Sequence, residues 1–230
     1  MHRGVSILNI LLLIVSLTVS GCGTSSNPAI HYTALGASDA VGVGALPPTR
    51  GYVFRIREGL EQQVGRSVDL LNLGIPGAQV GEIDEAFQKS IQSGNRPDLV
   101  TLWTGSNDLI HGTDPAEFEA KLRTLLQRVR AKTTAFLVLA NLPDLTRLPV
   151  FVEHPTPTVT TARISTFNTA IERQALAVEA TVVHLYEQPI MKNSVSDIDG
   201  FHPSNEGHAE LASLFLHVIL PHFGAAGVGS

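Results

Sequence analysis

From Ile30 onward the chain alternates short, almost wholly apolar runs with longer stretches whose apolar residues recur every three to four positions, and few folds satisfy that alternation. The apolar runs His31 to Gly36, Val68 to Leu73, Leu99 to Thr104, Ala135 to Ala140 and Thr181 to Tyr186 read as five strands. Between them Phe54, Arg57, Leu60 and Val64 mark one helix, Phe118, Leu122, Leu125 and Val129 a second, and Ile164, Phe167, Ile171 and Ala175 a third. Gln79 to Ile91 and Glu206 to Leu220 are further helical candidates. Asp114-Pro115 supplies an N-cap and a first-turn proline, and Gly65 follows the end of the first helix. Strands that alternate with helices require crossover connections, and these favour a parallel sheet covered on both faces. The expectation is one doubly wound α/β domain over residues 30–224, with its ligand site beyond the carboxyl ends of the strands.

Two segments at opposite ends of that domain carry chemistry. Gly36-Ala37-Ser38-Asp39 closes the first strand, and Asp199-Gly200-Phe201-His202 stands just before the last helix. A serine hydroxyl becomes a useful nucleophile when an imidazole takes its proton and a carboxylate holds that imidazole in the right tautomer. Ser38, His202 and Asp199 supply those groups, with Asp197 as the rival acid. Attack on an ester carbonyl creates an oxyanion, and donors already aimed at it lower the barrier. The backbone N–H groups of Ser38 and Gly74 and the side-chain amide of Asn107 are the candidates, each on a loop that leaves a strand. Each also has a plainer reading. Ser38 could cap a helix, Gly74 could permit a tight turn, Asn107-Asp108 could be an Asx turn, and His202-Pro203-Ser204 could lead into the final helix with Ser204 as its cap.

Four blocks in order, Gly36-Ala37-Ser38-Asp39, Asn72-Leu73-Gly74, Gly105-Ser106-Asn107-Asp108 and Asp199-Gly200-Phe201-His202-Pro203, make the chain resemble the SGNH/GDSL hydrolase family. The resemblance implies a flavodoxin-like three-layer α/β/α fold around a five-stranded parallel sheet. It also implies an oxyanion hole of serine, glycine and asparagine, an Asp-x-x-His pair completing the triad, and no cofactor. Many members read Gly-Asp-Ser in the first block, whereas Ala37 removes that aspartate here and Asp39 follows the serine instead.

The N-terminus carries a different message. Arg3, a run from Val5 to Val19 that is almost wholly apolar, and the small residues before Cys22 form a secretory signal over residues 1–21. Leu17-Thr18-Val19-Ser20-Gly21-Cys22 resembles the bacterial lipoprotein signal, in which the cysteine is lipidated and becomes the mature N-terminus. Cys22 is the only cysteine, so a disulfide within the chain is excluded. An uncleaved anchor helix or an ordinary signal with an incidental cysteine is the alternative. Residues 22–29 then form a short tether, which predicts an exported enzyme held at a cell or outer membrane by its lipid.

Several function classes drop out. A net charge of -5, with no dense run of lysine and arginine, disfavours nucleic acid as a partner. His31, His111, His154, His184, His208, His217 and His222 form no recognisable ligand set, so no metal is expected. Gly42-Val43-Gly44 lacks the third glycine of a dinucleotide fingerprint. The α/β-hydrolase pattern would want Gly-x-Ser-x-Gly on a mid-chain elbow and an acid remote from the histidine. The loop from Leu142 to Pro157 carries Leu142, Leu145, Leu148, Val150 and Phe151, which either line an acyl groove or pack onto the core. The expected activity is hydrolysis of a small-molecule or lipid carboxylic ester. The alternatives are a carbohydrate acetylesterase and a non-catalytic lipoprotein that binds a ligand in the same cleft.

Overall fold

The structure is a computed structural model that describes residues 27–190 and 192–224. The signal segment and Cys22 lie outside the described residues. Five parallel strands, β1 (Ile30–Gly36), β2 (Val68–Gly74), β3 (Leu99–Trp103), β4 (Phe136–Ala140) and β5 (Thr181–Val183), form one sheet in the order β2-β1-β3-β4-β5. All five expected strands are present, β5 being shorter than its apolar run. Past Val183 the chain turns away from the sheet, and Asn141 Oδ1 accepts from the Leu185 and Tyr186 amides at 2.6 and 3.1 Å in place of a ladder partner.

Side chains alternate strictly across the central strands. Leu99 and Trp103 of β3 face one way and Val100 and Leu102 the other, which is why these strands are apolar at nearly every position. On the first face, α2 (Tyr52–Val64) and α8 (Asn205–Gly224) pack Ile56, Leu60, Phe215 and Ile219 against β1, β3 and β4. On the second, α3 (Val80–Gln92), α5 (Pro115–Lys132) and α7 (Thr161–Ala177) supply Phe87, Leu122, Phe118 and Phe167, the last two with ring centroids 4.3 Å apart. The buried stripe of α2 runs through Val53, Ile56 and Leu60, one position away from the Phe54 and Arg57 phase expected from the sequence, and both of those are only partly buried.

Local signals act as their chemistry dictates. Asp114 accepts from the Ala116 and Glu117 amides at the start of α5, Gly65 takes a left-handed conformation after α2, and Ser204 Oγ accepts from Glu206 and Gly207 at the start of α8. Sheet order now positions the site. Connections leave β1 toward β2 and then cross to β3, so β1 and β3 flank the topological switch point, where a crevice opens at the carboxyl ends.

Candidate active site

Ser38 is the first residue of a one-turn helix, α1 (Ser38–Val41), that starts as β1 ends. Its hydroxyl lies 2.8 Å from His202 Nε2, and His202 Nδ1 lies 2.6 Å from Asp199 Oδ2. The two segments are 164 positions apart in sequence and meet at hydrogen-bond distance. Asp199, and not Asp197, reaches the imidazole. Asp199 Oδ1 also accepts from the Phe201 and His202 amides at 2.9 and 3.0 Å, so one carboxylate orders the turn and holds the ring. Partial burial opposes its ionisation, but the His202 ring and these two amides outweigh burial and hold the carboxyl below its ordinary value.

The turn itself is clamped from three directions. Ser196 N donates to His202 O at 2.8 Å and Gly200 N to Ser196 O at 2.9 Å, which closes it internally. Val150 N donates to Gly200 O at 3.1 Å, tying it to the loop after β4. Gly44, at φ 91°, lets the segment after α1 pass against it; a Cβ there would run into the Pro203 carbonyl and the His202 side chain. His208 completes the frame. Fully buried, it donates from Nε2 to Val43 O at 3.0 Å and accepts at Nδ1 from Tyr52 N at 3.2 Å. Burial pushes its imidazole below the ordinary value, which keeps that acceptor nitrogen free of a proton.

On the opposite side, Asn107 lies in α4 (Ser106–Ile110), just beyond β3, and its Nδ2 donates to Ala78 O at 2.9 Å. Asp108 beside it is fully buried and accepts from Val80 N at 3.2 Å, which pins the start of α3 to the loop after β3. Burial pushes the Asp108 carboxyl up to about 6 against the pull of that amide. The Asx-turn reading thus misses a clamp between two loops.

Gly74 does not fit the place expected for it. Its N–H donates back to Asn72 Oδ1 at 3.0 Å inside β2, so that donor is already occupied. Asn72 spends its other end on the Ala40 carbonyl at 2.7 Å, which fixes α1 against β2. In the following loop the Ile75 amide is taken by Gly36 O, that of Ala78 by Ile75 O, that of Gln79 by Glu82 and that of Val80 by Asp108; Pro76 has none. Gly77, at φ 79°, is left as the one N–H of this loop without an acceptor among the described residues, one residue before the carbonyl that Asn107 holds. The sequence alone points to Gly74 instead, because which backbone N–H of a loop lacks an acceptor is set by the fold and not by residue type.

A small pocket touches Ser38, Thr104, Gly105 and Asn107, and a larger apolar cavity of ≈ 110 Å³ lies next to it. Leu145 and Leu148 from the loop after β4 line the cavity, while Leu142, Val150 and Phe151 pack onto the core. Both readings of that loop hold, for different residues. Among the described residues no group of three or more His, Cys, Asp and Glu side chains is placed to hold a metal ion.

The family model for GDSL-like lipases and acylhydrolases matches residues 34–210, which takes in every one of these loops. The chain belongs to that family. It is a carboxylic ester hydrolase. A spore germination lipase of Bacillus licheniformis is 25% identical over 209 residues, covering 80% of this chain and 93% of the relative. Among solved structures, the psychrotrophic esterase EstA of a Pseudoalteromonas species superposes with a TM-score of 0.67 at 16% identity, over 84% of this chain and 97% of that one. An acetylxylan esterase from Geobacillus stearothermophilus gives 0.66 at 20% identity, over 84% and 95%. At these identities the structural likenesses show the fold.

Proposed function

We propose that the protein hydrolyses carboxylic esters through a Ser38-His202-Asp199 triad. The observation that carries this reading is the continuous chain of contacts at 2.8 and 2.6 Å from hydroxyl to imidazole to carboxylate. His202 Nε2 takes the Ser38 proton as Oγ attacks the acyl carbon, and the alcohol leaves with that proton when the tetrahedral intermediate collapses. Water then attacks the acyl-serine and passes a proton to His202, and as the bond between the acyl carbon and Ser38 Oγ breaks His202 returns that proton to Oγ, which releases the acid and regenerates Ser38. Asp199, ionised throughout by its amide and imidazole partners, keeps the Nδ1 proton on its own side of the ring.

The oxyanion is held by the Ser38 N–H, the second amide hydrogen of Asn107 and, in place of Gly74, the N–H of Gly77. Support for the substitution is that the Gly74 donor is taken by Asn72 while the Gly77 donor has no acceptor among the described residues. Ser38→Ala tests the whole reading. It should keep the fold, abolish hydrolysis of short p-nitrophenyl esters and prevent labelling by a serine-directed fluorophosphonate. Undiminished turnover would sink the triad.

The same proposal takes residues 1–21 as a removed signal, Cys22 as the lipid attachment point, residues 22–29 as a tether and 30–224 as the hydrolase unit, placed outside the cytoplasm at a cell or outer membrane. Two acyl chains or more give stable anchoring where one gives marginal binding. β1 begins at Ile30 and ends beside Ser38, so the tether would hold the domain by the end of the sheet remote from the site. Cys22→Ser should release an active enzyme from the membrane fraction, or leave it unprocessed. Mass spectrometry of an unmodified mature Cys22 would remove the anchor and leave the esterase.

A further inference from the structure

Asp39 is the charged residue of the first block, and the reaction does not use its side chain. It follows the nucleophile on α1, is partly buried, and among the described residues its carboxylate bonds to no other side chain. Together with Trp103, Ser106 and Phe201 it lines both the small pocket at Ser38 and the ≈ 110 Å³ apolar cavity. These four residues are therefore the wall between the two spaces. Behind the wall stand Leu145, Leu148, Leu185 and Ile190, the surroundings an alkyl chain requires. In the wall itself only Asp39 can carry a charge.

The groups that face Asp39 are few. His202 attracts its charge, Asp199 repels it, and the phenol of Tyr52 from α2 lies close enough to feel it. Across the cavity Glu210 of α8 is engaged by the Ser194 hydroxyl at 2.7 Å. Burial pushes the Asp39 carboxyl up to about 6, with the His202 charge opposing and Asp199 reinforcing. Its charge therefore changes within a pH range that an esterase assay can cover.

We propose that Asp39 determines acyl-chain specificity: its carboxylate closes the apolar cavity to the acyl group, confining the site to esters of short acids, and removing that charge opens the cavity to chains of medium length. The proposal rests on the Ser38 esterase reading. A chain that crosses the wall must strip water from a carboxylate that has its own backbone N–H but no side chain as a hydrogen-bond partner, and that cost grows as the chain fills the cavity. With the charge gone, each methylene buried is worth about a fourfold gain.

The test is the ratio of kcat/KM for p-nitrophenyl octanoate to that for p-nitrophenyl acetate, measured from pH 5.5 to 8.5 below the micelle concentration. The leaving group is common and the protonation of His202 enters both numerators and denominators, so it cancels. In the wild-type enzyme the ratio should rise at least tenfold from pH 8.5 to 5.5. Asp39→Asn should hold it high and flat. Adding Leu148→Phe, which fills the cavity behind the wall, should remove the octanoate gain and leave acetate turnover within a few-fold. A wild-type ratio that is flat with pH overturns the proposal whether or not the variants fold, and so does an octanoate gain that survives Leu148→Phe. Failure of the esterase reading looks different: neither ester is turned over, or turnover persists in Ser38→Ala.

Discussion

On the proton-relay side of the site, Asp199 and His202 share one turn, and all the polar contacts that orient the imidazole come from within eight residues of chain except the one to Ser38. On the oxyanion side the candidate donors come from the loops after β1, β2 and β3, and they are aligned by two side chains that do no chemistry, Asn72 on Ala40 and Asp108 on Val80, and by the candidate donor Asn107 itself, which holds Ala78. The first arrangement is mostly local, tied to the rest of the fold by Val150 N on Gly200 O and by the close approach of Gly44. The second depends on the register of three strands, so its failures should be graded where those of the relay are abrupt.

The largest effect should follow from reversing the relay without disturbing its fold. In Asp199→Asn the remaining oxygen still accepts the Phe201 and His202 amides, while the new amide faces Nδ1 and forces the other tautomer. A proton on Nε2 then points at Ser38. The kcat should fall about 10⁴-fold, with Tm nearly unchanged; a loss under tenfold would mean that the carboxylate orders the turn and nothing more.

Next comes the oxyanion side. Asn107→Ala should lower kcat by roughly 10²- to 10³-fold with a smaller change in KM, because its amide acts on charge that exists only in the transition state. A change confined to KM would make Asn107 a substrate-binding residue.

A glycine pair separates the two candidate backbone donors. Gly77→Ala meets open space but carries a left-handed φ of 79°, which costs a residue with a Cβ about 1–2 kcal/mol. The loop should relax to relieve part of that strain, moving its donor and lowering kcat about tenfold, with a smaller loss of Tm than in Gly74→Ala. Gly74→Ala would instead press a Cβ to 2.9 Å from Val41 Cγ2 and 3.0 Å from Ala40 Cβ. Overpacking of this kind typically costs about 1–3 kcal/mol, so thermal stability should drop. If Gly74→Ala kept its Tm and lost kcat, Gly74 would return as the donor.

The smallest effect concerns the clamp rather than the donors. Asp108 loses its proton near pH 4 in the unfolded chain and at about 6 in the folded one. Between those values the folded state binds the extra proton. Its contribution is present below pH 4 and is lost as pH rises through 6. Asp108→Asn keeps an acceptor for Val80 N and has no proton to lose, so the fall in Tm between pH 4.5 and 7 should shrink. An unchanged Tm profile would show that Asp108 is solvated enough to ionise freely. Asp199 has the opposite sign: its stabilisation is present above its unfolded value and fades as pH falls below it.

Much of this is legible in the sequence. Five strands and the five expected helices follow from apolar runs and three-to-four spacing, and Asp114, Gly65 and Ser204 act as caps because their side chains or conformational freedom do so in any context. Asp199 and His202 were readable for a related reason: a three-residue separation brings them together whatever the rest of the chain does. Less local features were read less well. The α2 stripe lies one position from the phase the sequence predicts because three-to-four spacing fits Phe54 and Arg57 as well as Val53 and Ile56, and only packing against α8 chooses between them. The loop after β4 divided between core and cavity, a distinction of depth that periodicity does not carry.

What the sequence determined by itself was the inventory: parallel α/β layering, a nucleophile at the end of β1, an acid and base on one turn, and an asparagine after β3. Those are identities of side chains and short-range spacings, and both are written in the chain. Tertiary structure decided which N–H groups were left without acceptors, which carboxylate pins two loops together, and that Asp39 stands between a polar pocket and an apolar cavity. Each of these depends on what a group faces across the fold, and a group's neighbours in space are set by strand order and register rather than by its neighbours in sequence.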